Sequence, residues 1–434
     1  MSAQQDQAAP HQPERYLVVS ADTHAGASLY DYKPYLAARW HDEFETWAAQ
    51  YHDPWIDLNT TSGQHRLGAL SAVDSVNWDS EHRTRDLDAE GIAGEIIYPN
   101  TAPPFFPSGS ITAPAPVTRP DYERRWAGVQ AHNRWLADFC AQLPGRRAGI
   151  SQVFVNDVDD TVAEIEWAKE AGLLGGILLP GIAPNTGVEP LYSESYDRIW
   201  AVCADLGVPV NFHGSAGNGE IGGRAQEHIE RSIAAIEFAF FCHRTLWHLI
   251  VGGVFERHPA LKCVLTEQQG IDWVPETLEQ LDRWFTASKS PAFGNERYHA
   301  KTFAAFSMKP SEYFRRNCYL GASFLTPREV PCLPQVGVDR VMWGSDYPHA
   351  EGTFPYTRQA LRASLAGLSP AECRLILGET ALRVYGMDRE LLRRAADRIG
   401  PTVEEVAQPL PQAAWPAMPD DTVCRVFARE PVWV

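Results

Sequence analysis

No apolar run in this 434-residue chain approaches the roughly 20 residues that a helix needs to cross a bilayer, so the sequence argues against a helical membrane protein. The segment before Tyr16, with Gln4, Gln5, Asp6, Gln7, His11 and Gln12, lacks the apolar centre of a secretory signal. A cytoplasmic protein with a disordered segment over residues 1–15 is expected. Basic side chains are scarce: 38 Lys and Arg stand against 55 Asp and Glu, a net charge of −17. That balance argues against a nucleic-acid partner or an anionic membrane surface. The eight cysteines (140, 203, 242, 263, 318, 332, 373 and 424) never form a C-x-x-C pair, and several sit inside apolar runs. Reduced core thiols are therefore expected rather than disulfides or a cysteine-zinc site. No internal repeat at a fixed period is present. The glycines between Gly214 and Gly223 lack the lysine and hydroxyl of a P-loop, and read as a mobile rim loop.

What the chain does have is a succession of short apolar runs, each followed by Gly, Pro or polar punctuation and then by helical spacing. Eight runs qualify: Leu17–Ala21, Gly94–Tyr98, Gly149–Val155, Gly176–Leu179, Val208–Phe212, Leu261–Leu265, Cys318–Gly321 and Val341–Trp343. Between them, Asp160–Ala171, Ser193–Leu206 and Ser369–Tyr385 carry apolar residues three and four apart, as helices covering a sheet do. Alternating strands and helices in this number close most simply into a single (β/α)8 TIM-type barrel, expected over residues 16–390. Long insertions follow strand one (Ala25–Ala93), strand two (Thr101–Pro120) and strand six (Ile271–Asn317). All leave the C-terminal rim, where such barrels keep their sites. Loop Thr101–Pro120, with Phe105 and Phe106 among prolines, either walls a pocket for a planar substrate or is a surface loop pinned by two buried rings. Residues 391–434 are expected to form a C-terminal helix and a proline-rich tail that packs on the barrel or on a neighbouring subunit.

Three of these strands end in ligand-type side chains. The first delivers Asp22 and His24, which lie two apart and so point to one side of a strand. The fifth delivers His213 and the eighth delivers Asp346. Strands one and eight are neighbours in a closed barrel, and strand five looks across at them. Any one of these residues alone reads as an ordinary core or surface group. Together, Asp22, His24, His213 and Asp346 suit one divalent ion, Zn2+ or Mn2+, with open positions for water and substrate.

The residues Asp22-Thr-His24, Asn133-Arg-Trp-Leu-Ala-Asp-Phe139, Phe212-His213, Gly252-Gly-Val-Phe-Glu-Arg-His-Pro259, Gly344-Ser-Asp-Tyr-Pro-His349 and Ile376-Leu-Gly-Glu-Thr-Ala-Leu-Arg-Val-Tyr385 resemble the amidohydrolase-related branch of the metal-dependent hydrolases. That branch contains aminocarboxymuconate-semialdehyde decarboxylase and the resorcylate and salicylate decarboxylases. The resemblance spans Tyr16 to Asp388. It implies that Asp22, His24, His213 and Asp346 hold a single divalent metal and that Asp346 doubles as an acid/base. Two departures stand out. Asp22 replaces the frequent first histidine of strand one, a benign change because carboxylates ligate zinc and manganese readily. Strand six, which commonly ends in histidine, ends here in Glu267. Glu267 is open to three roles, as a general base, an extra ligand or a partner holding a histidine; its bland alternative is a capping or ion-paired glutamate. His349 and Glu351, just past Asp346, are expected to line the pocket, His349 among the catalytic groups. His243 and His248 read as packing residues.

The leading expectation is a metal-dependent non-oxidative decarboxylase acting on a small aromatic or unsaturated carboxylic acid. The alternative is a metal-dependent hydrolase of an amide, lactone or carbon–carbon bond. A third reading, from a different class, is a non-catalytic barrel serving as a binding or assembly subunit. The expected partners are a small-molecule substrate and further copies of the chain, as a homodimer or higher homo-oligomer.

Overall fold

The eight apolar runs form eight parallel strands in sequential order: β1 (Val19–Ala25), β2 (Gly94–Pro99), β3 (Arg147–Gln152), β4 (Gly176–Leu178), β5 (Val210–His213), β6 (Cys263–Thr266), β7 (Cys318–Ser323) and β8 (Val341–Gly344). This computed structural model describes residues 13–52, 75–107, 113–180, 187–214, 227–290, 297–417 and 424–427. Closure comes from backbone bonds between the first and last strands. Asp346 N donates to Asp22 O at 2.9 Å and His24 N to Tyr347 O at 2.7 Å, with a parallel bridge between Thr23 and Tyr347. The architecture is the expected (β/α)8 barrel.

β1 starts two residues later than its apolar run and continues through Asp22, Thr23 and His24, all fully buried. Its pairing with β2 slips between Ser20 and Thr23, a bulge of the kind that re-aims a side chain beside a site. The closest approach to β8 falls at the same place. A Cβ on Gly344 would lie 2.6 Å from Asp22 Cβ, so only glycine lets the two aspartate-bearing strands meet.

The barrel floor is apolar. Val19, Ile96, Ile150, Val264 and Met342 from the strands pack with Leu382 and Tyr385 of helix Thr380–Tyr385 and Leu392 of helix Arg389–Ile399. Each such buried side chain contributes roughly 1.5–3 kcal/mol. Helices Val158–Glu170 and Asp197–Leu206 cover the outside. All eight cysteines are free thiols and seven are buried. Among the described residues no helix is long and apolar enough to cross a membrane. Of the segment expected to be disordered, residues 1–12 lie outside the described ones, while Glu14 pairs with Arg374 and Arg15 bridges to Thr402. Cys424, Val426 and Phe427 pack against Phe324 and Ala360. The glycine-rich stretch after Gly214 falls largely outside the described residues.

Behind β1 lies a buried ionic knot. Glu95 of β2 accepts from Arg83 Nη2 at 2.6 Å, Arg147 Nε at 3.2 Å and Thr23 Oγ1 at 3.0 Å, while Arg83 Nη1 donates to the His24 carbonyl at 2.7 Å. Burial disfavours the Glu95 carboxylate, but Arg83 and Arg147 outweigh it and hold its pKa below the ordinary 4.5. A depressed carboxylate stabilises the fold above its unfolded pKa and loses that contribution as pH falls through the folded value. Glu95→Gln leaves two buried guanidiniums uncompensated and is expected to lower stability by about 3–5 kcal/mol at neutral pH. In denaturant unfolding the gap from wild type should shrink on acidification below about pH 4.5. A gap that is small, or that widens in acid, would show that the knot is not stabilising.

Candidate metal centre

Four donor atoms converge inside the C-terminal rim. His24 Nε2 lies 3.3 Å from Asp22 Oδ1 and 3.2 Å from Asp346 Oδ1, and His213 Nε2 lies 3.5 Å from Asp22 Oδ1. None of the four residues is more than 2% exposed. Asp22 Oδ1, His24 Nε2, His213 Nε2 and both oxygens of Asp346 are buried without a hydrogen-bond partner. Buried polar atoms are almost always paired, so five orphans pointing together mark a place built for something else.

The ring tautomers agree. His24 Nδ1 faces the Pro99 carbonyl at 3.2 Å and His213 Nδ1 faces the Gly214 carbonyl at 3.1 Å. A carbonyl only accepts, so both Nδ1 atoms donate and both Nε2 lone pairs are free to bind a metal, the arrangement typical of ligating histidines. Asp22 Oδ2 accepts from Ser323 Oγ at the end of β7, which orients Oδ1 toward the imidazoles.

The electrostatics also call for positive charge. Burial alone would lower His24, yet Asp22 and Asp346 push its pKa up to about 10. His213 is raised too, because Asp22 and Glu267 outweigh its burial. Burial favours a neutral Asp22, but His213 and His24 hold its carboxyl well below the ordinary range. Asp346 is pushed up to about 6 by burial, with His24 opposing and Asp22 reinforcing. Two carboxylates and two imidazoles fit a divalent ion, which would replace protons on the rings.

Around this group sit the other residues singled out from the sequence. Glu267 is partly buried, with Oε2 3.5 Å from His213 Nε2, and burial followed by Asp346 raises its pKa. His349 stacks on His24 at 4.0 Å between centroids and places Nδ1 2.9 Å from Asp346 Oδ1. Burial and His24 lower its pKa to about 3. Glu351 is buried and raised by burial and Asp346. Asp346 and Glu267 adopt left-handed backbone at φ 57° and 50°, which disfavours L-residues by roughly 1–2 kcal/mol each. Bonds from Asp346 N to Asp22 O and from Glu267 N to Gly321 O at 3.1 Å hold them there. His243 stacks on Trp273 at 3.8 Å and reaches the Gln268 carbonyl.

The Thr101–Pro120 loop divides its two rings. Phe105 packs on Trp40, Phe44 and Trp47, whereas Phe106 stacks on Phe154 at 5.8 Å and lines a recess with Val129, Gln152, Leu179 and His213.

Sequence reasoning missed Ser323 and Asn100. Ser323 ends β7 and Asn100 directly follows β2, and testing every strand end for polar side chains, not only for metal ligands, would have found them. Asn100 Nδ2 donates to Asn77 Oδ1 at 2.6 Å, which turns its Oδ1 toward His349 Nε2 at 3.2 Å.

The family model described as amidohydrolase matches residues 78–387, well over half of the chain. The chain belongs to the amidohydrolase family. The matched span begins after β1, so Asp22 and His24 enter the site through the fold. A gamma-resorcylate decarboxylase from Rhodococcus jostii (strain RHA1) is 25% identical over 336 residues, covering 73% of this chain and 93% of the relative. An amidohydrolase from Mycobacterium avium subsp. paratuberculosis K-10 superposes with a TM-score of 0.59 at 21% identity, over 86% of this chain and 99% of that one. The 5-carboxyvanillate decarboxylase from Novosphingobium aromaticivorans DSM 12444, complexed with manganese and 4-hydroxy-3-methoxy-5-nitrobenzoic acid, gives 0.59 at 18% identity, over 89% and 100%. These two structures share the amidohydrolase barrel with this chain.

Ser323→Ala should leave this amidohydrolase folded but weaken binding of added Mn2+ by about 10- to 100-fold, the usual penalty for losing a group that orients a ligand. Calorimetric titration measures it. Unchanged affinity would remove Ser323 from the support of Asp22.

Proposed function

We propose that this amidohydrolase is a metal-dependent decarboxylase of a small aromatic or unsaturated carboxylic acid, with Asp22, His24, His213 and Asp346 holding one Mn2+ or Zn2+. The observation that carries the reading is the set of orphaned, buried donor atoms at the barrel rim, in a chain related to a gamma-resorcylate decarboxylase. Manganese in the 5-carboxyvanillate decarboxylase structure supports the choice of ion.

When bound, a divalent ion supplies a Lewis acid for the substrate carboxylate or an adjacent hydroxyl. The chain's own groups do the rest. Asp346, whose pKa burial raises toward neutrality, is the acid that takes up a proton and delivers it to the carbon that bears the carboxylate; carbon dioxide then leaves and the C–H bond remains. His349 is neutral, with its Nδ1 lone pair against Asp346, and links that carboxyl to the rim for reprotonation. Glu267, whose Oε2 stands 3.5 Å from His213 Nε2 on the metal-facing side of that ring, orients the substrate. Phe106 and Phe154 wall the recess, and Gln152 Nε2, buried without a partner, offers a hydrogen bond to a ring substituent.

A hydrolytic reading draws on Glu267, whose raised pKa and closeness to His213 would also suit a base that activates water. Isotope labels separate the two. Candidate hydroxybenzoates, unsaturated acids and cyclic amides are incubated with Mn2+- or Zn2+-loaded protein in heavy water and in oxygen-labelled water. Decarboxylation puts deuterium on carbon and no label on oxygen; labelled oxygen in the product overturns it. Asp346→Asn keeps an oxygen but cannot carry the proton, and should reduce turnover by at least about 100-fold. Near-normal turnover would leave Asp346 without a chemical role.

The proposal extends to a cytoplasmic homodimer or higher homo-oligomer. Ile229, Ile233 and Phe240 are exposed on helix Glu227–Val251, an apolar surface of the kind that marks association. Sedimentation at the monomer mass would contradict it.

A further inference from the structure

Arg125, on helix Arg119–Ala141, is only 2% exposed. Burial, opposed by Asp121, lowers its pKa to about 10, so the guanidinium is charged at neutral pH. Its Nε and Nη2 are buried without a hydrogen-bond partner. Its ionic contact is Nη1 to Asp121 Oδ2 at 3.5 Å, and that partly exposed aspartate also faces Arg124 Nη2 at 3.7 Å. The other two buried arginines are satisfied in full. Every guanidinium nitrogen of Arg83 and Arg147 donates, to Glu95, to Ser80 and Thr84 or to backbone carbonyls. Among the described residues Arg125 alone has two orphaned guanidinium nitrogens.

The identity of the orphans matters. Nε and Nη2 form the side-on edge of the guanidinium, whose two parallel N–H bonds match the two oxygens of a carboxylate. A buried charge with its donors open is costly to keep, and an oxyanion on that edge would offset the cost.

The guanidinium adjoins the recess at the metal centre. Its carbon lies 4.4 Å from the centroid of Phe106 and 5.2 Å from that of Phe154, two rings that line the recess together with His213. Arg125, Val129 and Asn133 follow one another at four-residue spacing and so share a face of their helix. Val129 lines the recess. Asn133 exchanges two bonds with the Gln152 backbone, at 2.8 and 2.9 Å, and so fixes Gln152, whose own Nε2 is orphaned and buried. Two side chains with open N–H groups therefore border one recess.

We propose that Arg125 is a specificity-determining residue that binds, through Nε and Nη2, a carboxylate carried on the substrate ring in addition to the one that leaves, with Gln152 as a second donor. The inference rests on the decarboxylase reading above and narrows its substrate class to an aromatic diacid.

Mn2+-loaded full-length protein is titrated calorimetrically with hydroxybenzoates that carry a second carboxylate at each ring position, and with the matching carboxamides. The diacid that fits is expected to bind at least about 10-fold more tightly than its amide, the scale of a charge-assisted bidentate pair. Arg125→Gln should bring that ratio close to one with Mn2+ affinity retained. Arg125→Lys keeps the charge but not the fork, and should restore only part of the preference. Equal binding of acid and amide by the wild type overturns the proposal. So does a preference that survives Arg125→Gln, or a loss that weakens acid and amide alike, which would reduce Arg125 to packing on Phe106 and Phe154. Failure to bind Mn2+, or to bind any aromatic acid, overturns the metal-dependent reading and this inference with it. Should the variants fail to fold, a crystal of the wild type with the preferred diacid decides. Carboxylate oxygens within about 2.7–3.2 Å of Nε and Nη2 support the assignment; water alone on that edge, with the carboxylate seated elsewhere, overturns it.

Discussion

β1 and β8 close the barrel by a pair of backbone bonds, Asp346 N to Asp22 O and His24 N to Tyr347 O, and those bonds join the very residues whose side chains form the site. The consequence is electrostatic. Closing the barrel brings two fully buried aspartates to His24, and like charges so placed repel strongly at low dielectric. The structure accepts that repulsion locally: β1 bulges between Ser20 and Thr23, β8 supplies a glycine where any Cβ would collide with Asp22, and Asp346 takes a left-handed backbone. It offsets the repulsion with His24, caught between both carboxylates, and with His213 from the opposite wall. Behind β1, the knot of Glu95, Arg83 and Arg147 fixes the His24 carbonyl, so the strand that carries Asp22 and His24 is held from its back as well as from its edge.

Much of this was legible in the sequence because barrel strands have a strong signature. All eight apolar runs became strands, each within a few residues of its expected limits, since runs such as Val208–Phe212 and Leu261–Leu265 are buried on both faces. Ligand-type residues at the ends of three runs converge because sequential parallel strands leave no freedom in who neighbours whom. Other features depended on tertiary contact. The β1 bulge and the close approach of Gly344 to Asp22 are tertiary features that no local pattern records. Ser323 and Asn100 are ordinary polar residues until the barrel aims them at Asp22 and His349. The Phe105-Phe106 pair could not be divided from sequence, because one ring turns toward Trp40 and Trp47 while its neighbour turns toward the site. Glu267 was conspicuous as a departure from the family pattern, yet its closeness to Glu351 and Asp346 appears only when the ends of β6 and β8 are seen together.

The amidohydrolase barrel leaves the reaction to the side chains at its rim, as this fold generally does. Here those side chains are unusually acidic for a site proposed to take an anion. Added positive charge, in the proposal one ion on Asp22, His24, His213 and Asp346, is what reconciles the two.

The central claim is that the orphaned atoms of this cluster are metal ligands and not a hydrogen-bonded knot of protonated histidine and aspartate. Anomalous diffraction at the manganese absorption edge, from crystals of Mn2+-loaded protein, tests it most directly. The account predicts a peak within about 2.0–2.3 Å of Asp22 Oδ1, His24 Nε2, His213 Nε2 and an Asp346 oxygen, distances ordinary for N and O ligands to such ions. A map without a peak there, with His24 Nε2 instead hydrogen-bonded to Asp22 and Asp346, would contradict it.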